Sequence, residues 1–247
     1  MRLNCKGPDK PDGRDFPPPS IASQRKYVDY RPYTRIAEQQ GRTQSCTMQG
    51  WEGYVQVPIN KLRGTDVDQG SLMVDLDAIG GFNKLCGIYY DGNINNGAYP
   101  RDSAEFMLKH GLVEISPHGG TSHKLLEYWR NKTVSDLKNS LLTNGPQTIA
   151  TEWYLSFSRC KENGGLITLK PHDFRVGFHQ TCVEGFIQKN GKDVFAVRNS
   201  HGQAFGDMGD FYITPDDLGR IMTDSYGGLY NFNMEQMVAW AEKFMEI

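Results

Sequence analysis

An α+β fold is what this sequence predicts, with helices up to about residue 145 and antiparallel strands after it. Three observations carry that reading. In the first part, apolar residues recur at spacings of three and four behind good capping residues. In the second, runs rich in β-branched and aromatic residues are bounded by turn signals. Between two of those runs sits Asn190-Gly191, a tight hairpin turn.

The first helix begins at Cys46, where Ser45 is a good N-cap and Met48, Trp51 and Val55 follow on one face. A second runs from about Arg101 to His110 and is stopped by Gly111. The third has the fullest code: Thr133 and Asp136 make a capping box, Val134, Leu137 and Leu141 form the apolar stripe, and Asn144-Gly145-Pro146 ends it. Strands are expected over Gln147–Leu155, His179–Lys189, Asp193–Asn199 and Gly209–Ile213. A plain two-residue turn at 190 and 191 makes partner numbers sum to 381, so Asn199 faces Cys182 and lies on the opposite sheet face from His179. For those two side chains to meet, one extra residue must be absorbed, and Gly185 is the expected bulge. Beyond Pro215, Met234, Met237, Val238, Trp240, Ala241, Phe244 and Met245 form an amphipathic helix, suited to packing on its own body or to docking a partner.

At 247 residues and 38% hydrophobic content, the chain can build one domain of two lobes with a sizeable core. A net charge of −2 gives no pull toward nucleic acid or an anionic membrane, and no apolar run is long enough to span one. The opening Met1–Lys6 lacks the apolar core of a signal peptide. Cysteines at 5, 46, 86, 160 and 182 show neither a C-x-x-C pair nor zinc spacing, so thiols in a reducing compartment, or in a virion-like particle, are expected. His118 and His123 flank Gly119-Gly120 without a third ligand at metal spacing, and no metal or organic cofactor is expected. Residues 1–28 read as a proline-rich arm that lies on its own domain near the site or against a partner chain.

Chemistry concentrates on Cys46, His179 and Asn199. A cysteine at a helix N-terminus sits in the positive end of the helix dipole, which favours the thiolate. A histidine beside it can hold that thiolate as an ion pair and then give its proton to a leaving amine, and an asparagine can orient the ring. Gln40, just upstream, can turn its side-chain NH2 toward a tetrahedral oxyanion.

The stretch Gln40-Gly41-x-x-x-Ser45-Cys46 resembles the Q-G-x-C-G-S-C-W of the papain family of cysteine peptidases. Arg198-Asn199-Ser200-His201-Gly202-x-x-Phe205-Gly206 resembles its K-N-S-W-G-x-x-W-G, Asn96-Gly97-Ala98-Tyr99-Pro100 its N-G-G-Y-P, and Leu137 to Pro146 the helix and turn leading into its second lobe. His179 follows Cys46 by 133 residues (179 − 46), inside the roughly 130 to 150 typical of that family. The resemblance runs from about Asp29 to Ile213 with all four blocks in order. It implies a two-lobed papain-like fold, a helical lobe over about 29–130 and an antiparallel, barrel-like β lobe over about 131–215, with the active-site cleft between them and an additional segment over 216–247. It further implies a cysteine endopeptidase with Cys46 as nucleophile, His179 as general acid and base, Asn199 as orienter and Gln40 as oxyanion donor. Peptide or protein substrate would run beside Gly97 and Ala98, with Tyr99, Ala150 and Phe178 lining the adjoining pocket. Departures are Thr47 and His201 where the family has tryptophans, Ala98 for a glycine, and Thr43 and Asn95 at the ends of a missing disulfide. Without the tryptophan, the His179–Asn199 pair is expected to be more hydrated and His201 to face solvent. A papain-like fold kept as a weakly active or inactive component of a larger assembly is the competing reading, and acyl transfer to an amine a third.

Overall fold

A computed structural model describes residues 5–19, 23–64, 73–115 and 120–231; His118 and the expected helix over 234–245 lie outside them. Helix α1, Cys46–Arg63, is almost wholly buried, with Met48, Trp51, Val55 and Ile59 at 0–1% exposure. Burying such side chains contributes about 1.5–3 kcal/mol each, so α1 is the axle on which the rest packs. Helices α2 (Ala78–Tyr89) and α3 (Pro100–Lys109) lie against it. The sequence reading missed α2. Its signal was present, since the Asp77 side chain caps it by accepting from the Gly80 N–H and Phe82, Leu85 and Cys86 form its buried stripe. Gly80 and Gly81 disguised it, yet Gly81 is required by packing: a Cβ there would lie 2.5 Å from Leu112 Cδ2.

Helix α4, Val134–Asn144, carries the expected reciprocal capping box of Thr133 and Asp136. The strands after it are β5 (Gln147–Tyr154), β6 (Arg175–Lys189), β7 (Lys192–Arg198) and β8 (Asp210–Ile213), close to their expected bounds except that β6 starts four residues earlier than His179. Three further strands join the same antiparallel sheet: β1 (Val28–Asp29), β4 (Leu125–Arg130) and β9 (Met222–Tyr230), the last reached through the short helix α5, Pro215–Ile221. The order is β4-β9-β5-β6-β7-β8, with β1 paired to β6. Residues 222–230 are therefore an interior strand, where sequence reading saw no pattern. Strands β2 (Leu112–Val113) and β3 (Ser122–His123) form a separate pair.

The register of β6 with β7 decides whether the site can form. From Lys189↔Lys192 to Gly185↔Ala196 the partner numbers sum to 381; beyond the bulge, Val183↔Val197 and Cys182↔Arg198 sum to 380. Glu184 is the extra residue, one place from the expected Gly185. Continued one step, the shifted register sets Asn199 opposite Thr181 and on the same face as His179. The bulge also turns Glu184 inward, where its carboxylate accepts from the Thr34 hydroxyl at 3.0 Å and pairs with Arg198 at 3.6 Å.

Candidate active site

Ser45 is the N-cap of α1, but its side chain does not cap. The hydroxyl is engaged with Thr43 Oγ1 at 2.8 Å, and that threonine donates in turn to the Gln40 carbonyl at 2.7 Å or bonds Ser45. The loop that leads into Cys46 is thereby tied internally, and the positive end of the helix is left to the residue that starts it. Gly50 and Gly53 let α1 lie directly on β6: a Cβ on Gly50 would stand 3.3 Å from the Thr181 carbonyl oxygen, and one on Gly53 3.1 Å from Cys182 Cβ. Helix and strand thus advance together. One turn back from Gly50 is about 6 Å, and two strand residues back from Thr181 about 6.6 Å, which brings Cys46 level with His179.

The His179 ring is fixed from its far side. Its Nε2 is 2.7 Å from Asn199 Oδ1, and the Ser200 N–H donates to the same oxygen at 2.8 Å. Two donors on one atom identify it as the amide oxygen, so Nε2 carries the proton in the neutral ring. Nδ1, buried, has no hydrogen-bond partner. That nitrogen is the one left to exchange a proton with a thiol. Asn199 Nδ2 reaches His201 Nδ1 at 3.0 Å.

Here the expectation of an open, hydrated pair fails. His179 is 0% and Asn199 2% exposed. His201 does not face solvent; it lies flat on His179, centroids 4.8 Å apart and planes 7° from parallel. Trp153 of β5 closes edge-on over both rings at 4.9 and 6.0 Å, with Phe205 and Phe211 around it. The shield comes from another strand, a residue that sequence reading did not single out. Burial pushes the His179 ring down to about 4, against the Asn199 hydrogen bond, and burial with the neighbouring His179 takes His201 to about 2.

Gln40 is 2% exposed and clamped. Its Oε1 accepts from the Ser200 hydroxyl, its Nε2 donates to the Thr43 carbonyl at 3.0 Å, and its backbone N–H to the Ser200 carbonyl at 2.9 Å. One side-chain N–H remains for an oxyanion. Behind the site, Arg198 donates to Asp210 at 2.6 Å and the Asn199 N–H to the Gly209 carbonyl at 3.0 Å, locking the start of the loop that carries the amide. Burial raises the Glu184 carboxyl, which Arg198 opposes.

Four of the five residues expected to line a peptide site, Ala98, Tyr99, Ala150 and Phe178, meet at one segment, the arm itself. The Cys5 N–H donates to the Phe178 carbonyl at 3.3 Å and the Lys6 N–H to the Ala98 carbonyl at 3.0 Å. Cys5 packs in a buried cluster with Cys46 and Ala150, and Phe178 lies against it. The Lys6 ammonium stands 3.3 Å from the Tyr90 ring centroid and 5.3 Å from that of Tyr99. Gly97, at φ 68°, makes the turn that presents Ala98. The arm continues over the surface on Asp9 and Asp15. Asp15 bridges Arg101 and Arg130, both at 2.8 Å. With the arm in place Cys46 is 0% exposed.

Elsewhere, Glu38, Glu52 and Asp75 hold ligand atoms within 4.8 Å of one another, but the Arg35 guanidinium already pairs with Asp75. His123 bonds Tyr230 and Glu114. No helix among the described residues is long and apolar enough to cross a membrane.

No family model matches this sequence, and no curated protein matches it. Solved structures do. Xylellain, a cysteine protease from Xylella fastidiosa, aligns with a TM-score of 0.72 at 20% identity, covering 93% of this chain and 98% of its own. Procathepsin B from Trypanosoma congolense aligns at 0.70 and 13%, covering 93% and 87%. Procathepsin L 3 from the larval midgut of Tenebrio molitor aligns at 0.67 and 16%, covering 91% and 76%. The chain has the papain-like fold of these cysteine proteases, a mixture of helices and antiparallel sheet. Identities this low speak for the fold alone.

Proposed function

We propose that this chain is a cysteine endopeptidase, acting in a groove between a helical lobe and a barrel-like β lobe. The observation that carries the reading is the 2.7 Å bond from His179 to Asn199, which spends one ring nitrogen and leaves Nδ1 without a hydrogen-bond partner among the described residues. In the reaction, a substrate displaces segment 5–19 and the Cys46 sulfur attacks its carbonyl carbon. His179, having taken the thiol proton, gives it to the departing amine. The backbone N–H of Cys46 and the remaining Gln40 N–H stabilise the oxyanion. Water, deprotonated by His179, then attacks the thioester and releases the acid. Asn199 keeps the ring in one tautomer throughout, as a carboxylate does in serine enzymes. Substrate backbone takes the carbonyls of Ala98 and Phe178 that Cys5 and Lys6 now occupy. No step calls for a metal or an organic cofactor.

The covered thiol favours a second reading, a papain-like component of a larger assembly with little or no turnover, its site closed for good. Incubation of the chain with an unfolded protein, followed by mass mapping of the ends produced, separates the two. Peptidase action predicts new termini that vanish in Cys46→Ala; intact substrate after arm displacement by mild denaturant contradicts it. An added amine that ends up joined to the new carboxyl would instead reveal acyl transfer.

A further inference from the structure

Among the five thiols, two share a small buried cluster, and one of them belongs to the segment that covers the other. We propose that Cys5 is a resolving thiol for Cys46, and that oxidation joins the two in a disulfide that latches the arm across the site. The seat is specific. Cys5 is held by its own N–H on Phe178 and by the next N–H on Ala98, so its side chain is delivered to the Cys46 side by backbone bonds from two different parts of the fold. Gly7, at φ 110°, turns the chain directly after it, and a Cβ there would stand 3.3 Å from the Phe178 ring. Cys86, Cys160 and Cys182 are buried elsewhere, in the clusters of the main core. Burial, and then the neighbouring Cys46, push the Cys5 thiol well above its ordinary range.

The oxidant is a small hydroperoxide, and the chemistry balances in two steps. With the arm lifted, the Cys46 thiolate attacks the peroxide; an S–O bond forms, the O–O bond breaks, and the departing hydroxide is protonated to water. As the arm reseats, the Cys5 sulfur attacks the sulfenic sulfur; the S–S bond forms, the S–O bond breaks, and the hydroxide leaves with the Cys5 proton as a second water. Two thiols and one peroxide give one disulfide and two waters. A dithiol reverses it and frees the site. The latch thereby also spares Cys46 from irreversible oxidation. It rests on the reading of Cys46 as an activated thiol, not on turnover itself.

The test treats the full chain with an excess of hydrogen peroxide near neutral pH, blocks remaining thiols with N-ethylmaleimide in denaturant and maps peptides without reduction. Expected is one dominant linked species containing Cys5 and Cys46, removed by dithiothreitol, with return of Cys46 labelling by iodoacetamide. In Cys5→Ser, Cys46 should pass to sulfinic acid and stay blocked after dithiothreitol. Asp15→Ala, which keeps Cys5 but weakens the arm, should send a larger share of Cys46 to sulfinic acid at the expense of the link. The latch is overturned if Cys46 reaches sulfinic acid equally in both proteins, if Cys5 pairs with another cysteine, or if neither sulfur is oxidised. Hydrolysis plays no part in the readout. Cleavage of peptides without the link sinks the latch alone, and the link without cleavage sinks the peptidase alone.

Discussion

The wall behind Cys46 and the segment in front of it are built in different ways. Behind, His179 lies on β6 and Asn199 directly after β7, brought to the same face by the Glu184 bulge and boxed in by Trp153, Phe205 and Phe211. In front, the arm holds on by three backbone hydrogen bonds, one thiol cluster, a cation over a ring, the Arg14–Glu105 ion pair, the Lys10 carbonyl that accepts from Arg101, and the carboxylates of Asp9 and Asp15. The wall changes only when the sheet comes apart, whereas the proposed function requires the arm to leave by local opening. The contrast separates a His179–Asn199 pair fixed by the sheet from a segment that the proposed function treats as exchangeable.

Four substitutions sharpen that contrast, in decreasing order of effect. His179→Ala should lower the initial rate of peptide hydrolysis by about 10⁴-fold or more, since groups that act as a unit fail together; a loss under tenfold contradicts the assignment. Trp153→Ala should cost about 3–5 kcal/mol of stability in denaturant melts and release the stacked His201 ring. Gln40→Ala should reduce turnover by about 10²- to 10³-fold, with about 1–3 kcal/mol of stability lost because the Ser200 hydroxyl and Thr43 carbonyl lose their partner. On the other side, Asp15→Ala leaves Arg101 and Arg130 without their shared carboxylate, so Cys46 should be labelled faster, by roughly tenfold for each 1.4 kcal/mol of lost docking.

The arm should also answer to pH, with the smallest effect. Burial, and then the neighbouring Asp9, raise Asp224 to about 7, against Arg130; Arg101 and Tyr226 reach the Asp9 side of the same group. An acid whose seated form holds its proton contributes fully below the ordinary carboxylate range and loses that contribution as pH climbs through about 7. Amide exchange at Cys5 and Lys6, corrected for the intrinsic rate, should therefore quicken across that window. Asp224→Asn should flatten the profile; an unchanged slope would remove Asp224 from the account.

The permanent half of the site was legible in the sequence because its information is local. A capping residue before Cys46, a hairpin at Asn190-Gly191 and a count of residues between turn and amide were enough to require a bulge within one position of Glu184. What escaped reading depends on packing between distant segments. Helix α2 was hidden by Gly80, which clears the capping Asp77, and Gly81, which clears Leu112, and β9 carries too many small residues to advertise an interior strand. Trp153 looked like one strand residue among others until β5 was paired with β6, Thr151 falling opposite His179. The seat of the arm has no periodic code, since backbone carbonyls of Ala98 and Phe178 hold it irrespective of side-chain type.

The most direct measurement of the central claim is the rate at which iodoacetamide alkylates Cys46, followed by mass spectrometry from pH ~5 to ~9 in the native sequence and in His179→Ala. An ordinary thiol has a pKa of about 8.5 and is sluggish at the acid end. A sulfur activated by the imidazole should retain a plateau of reactivity below pH ~7 that disappears with the histidine. Superimposable profiles for the two proteins would contradict the account.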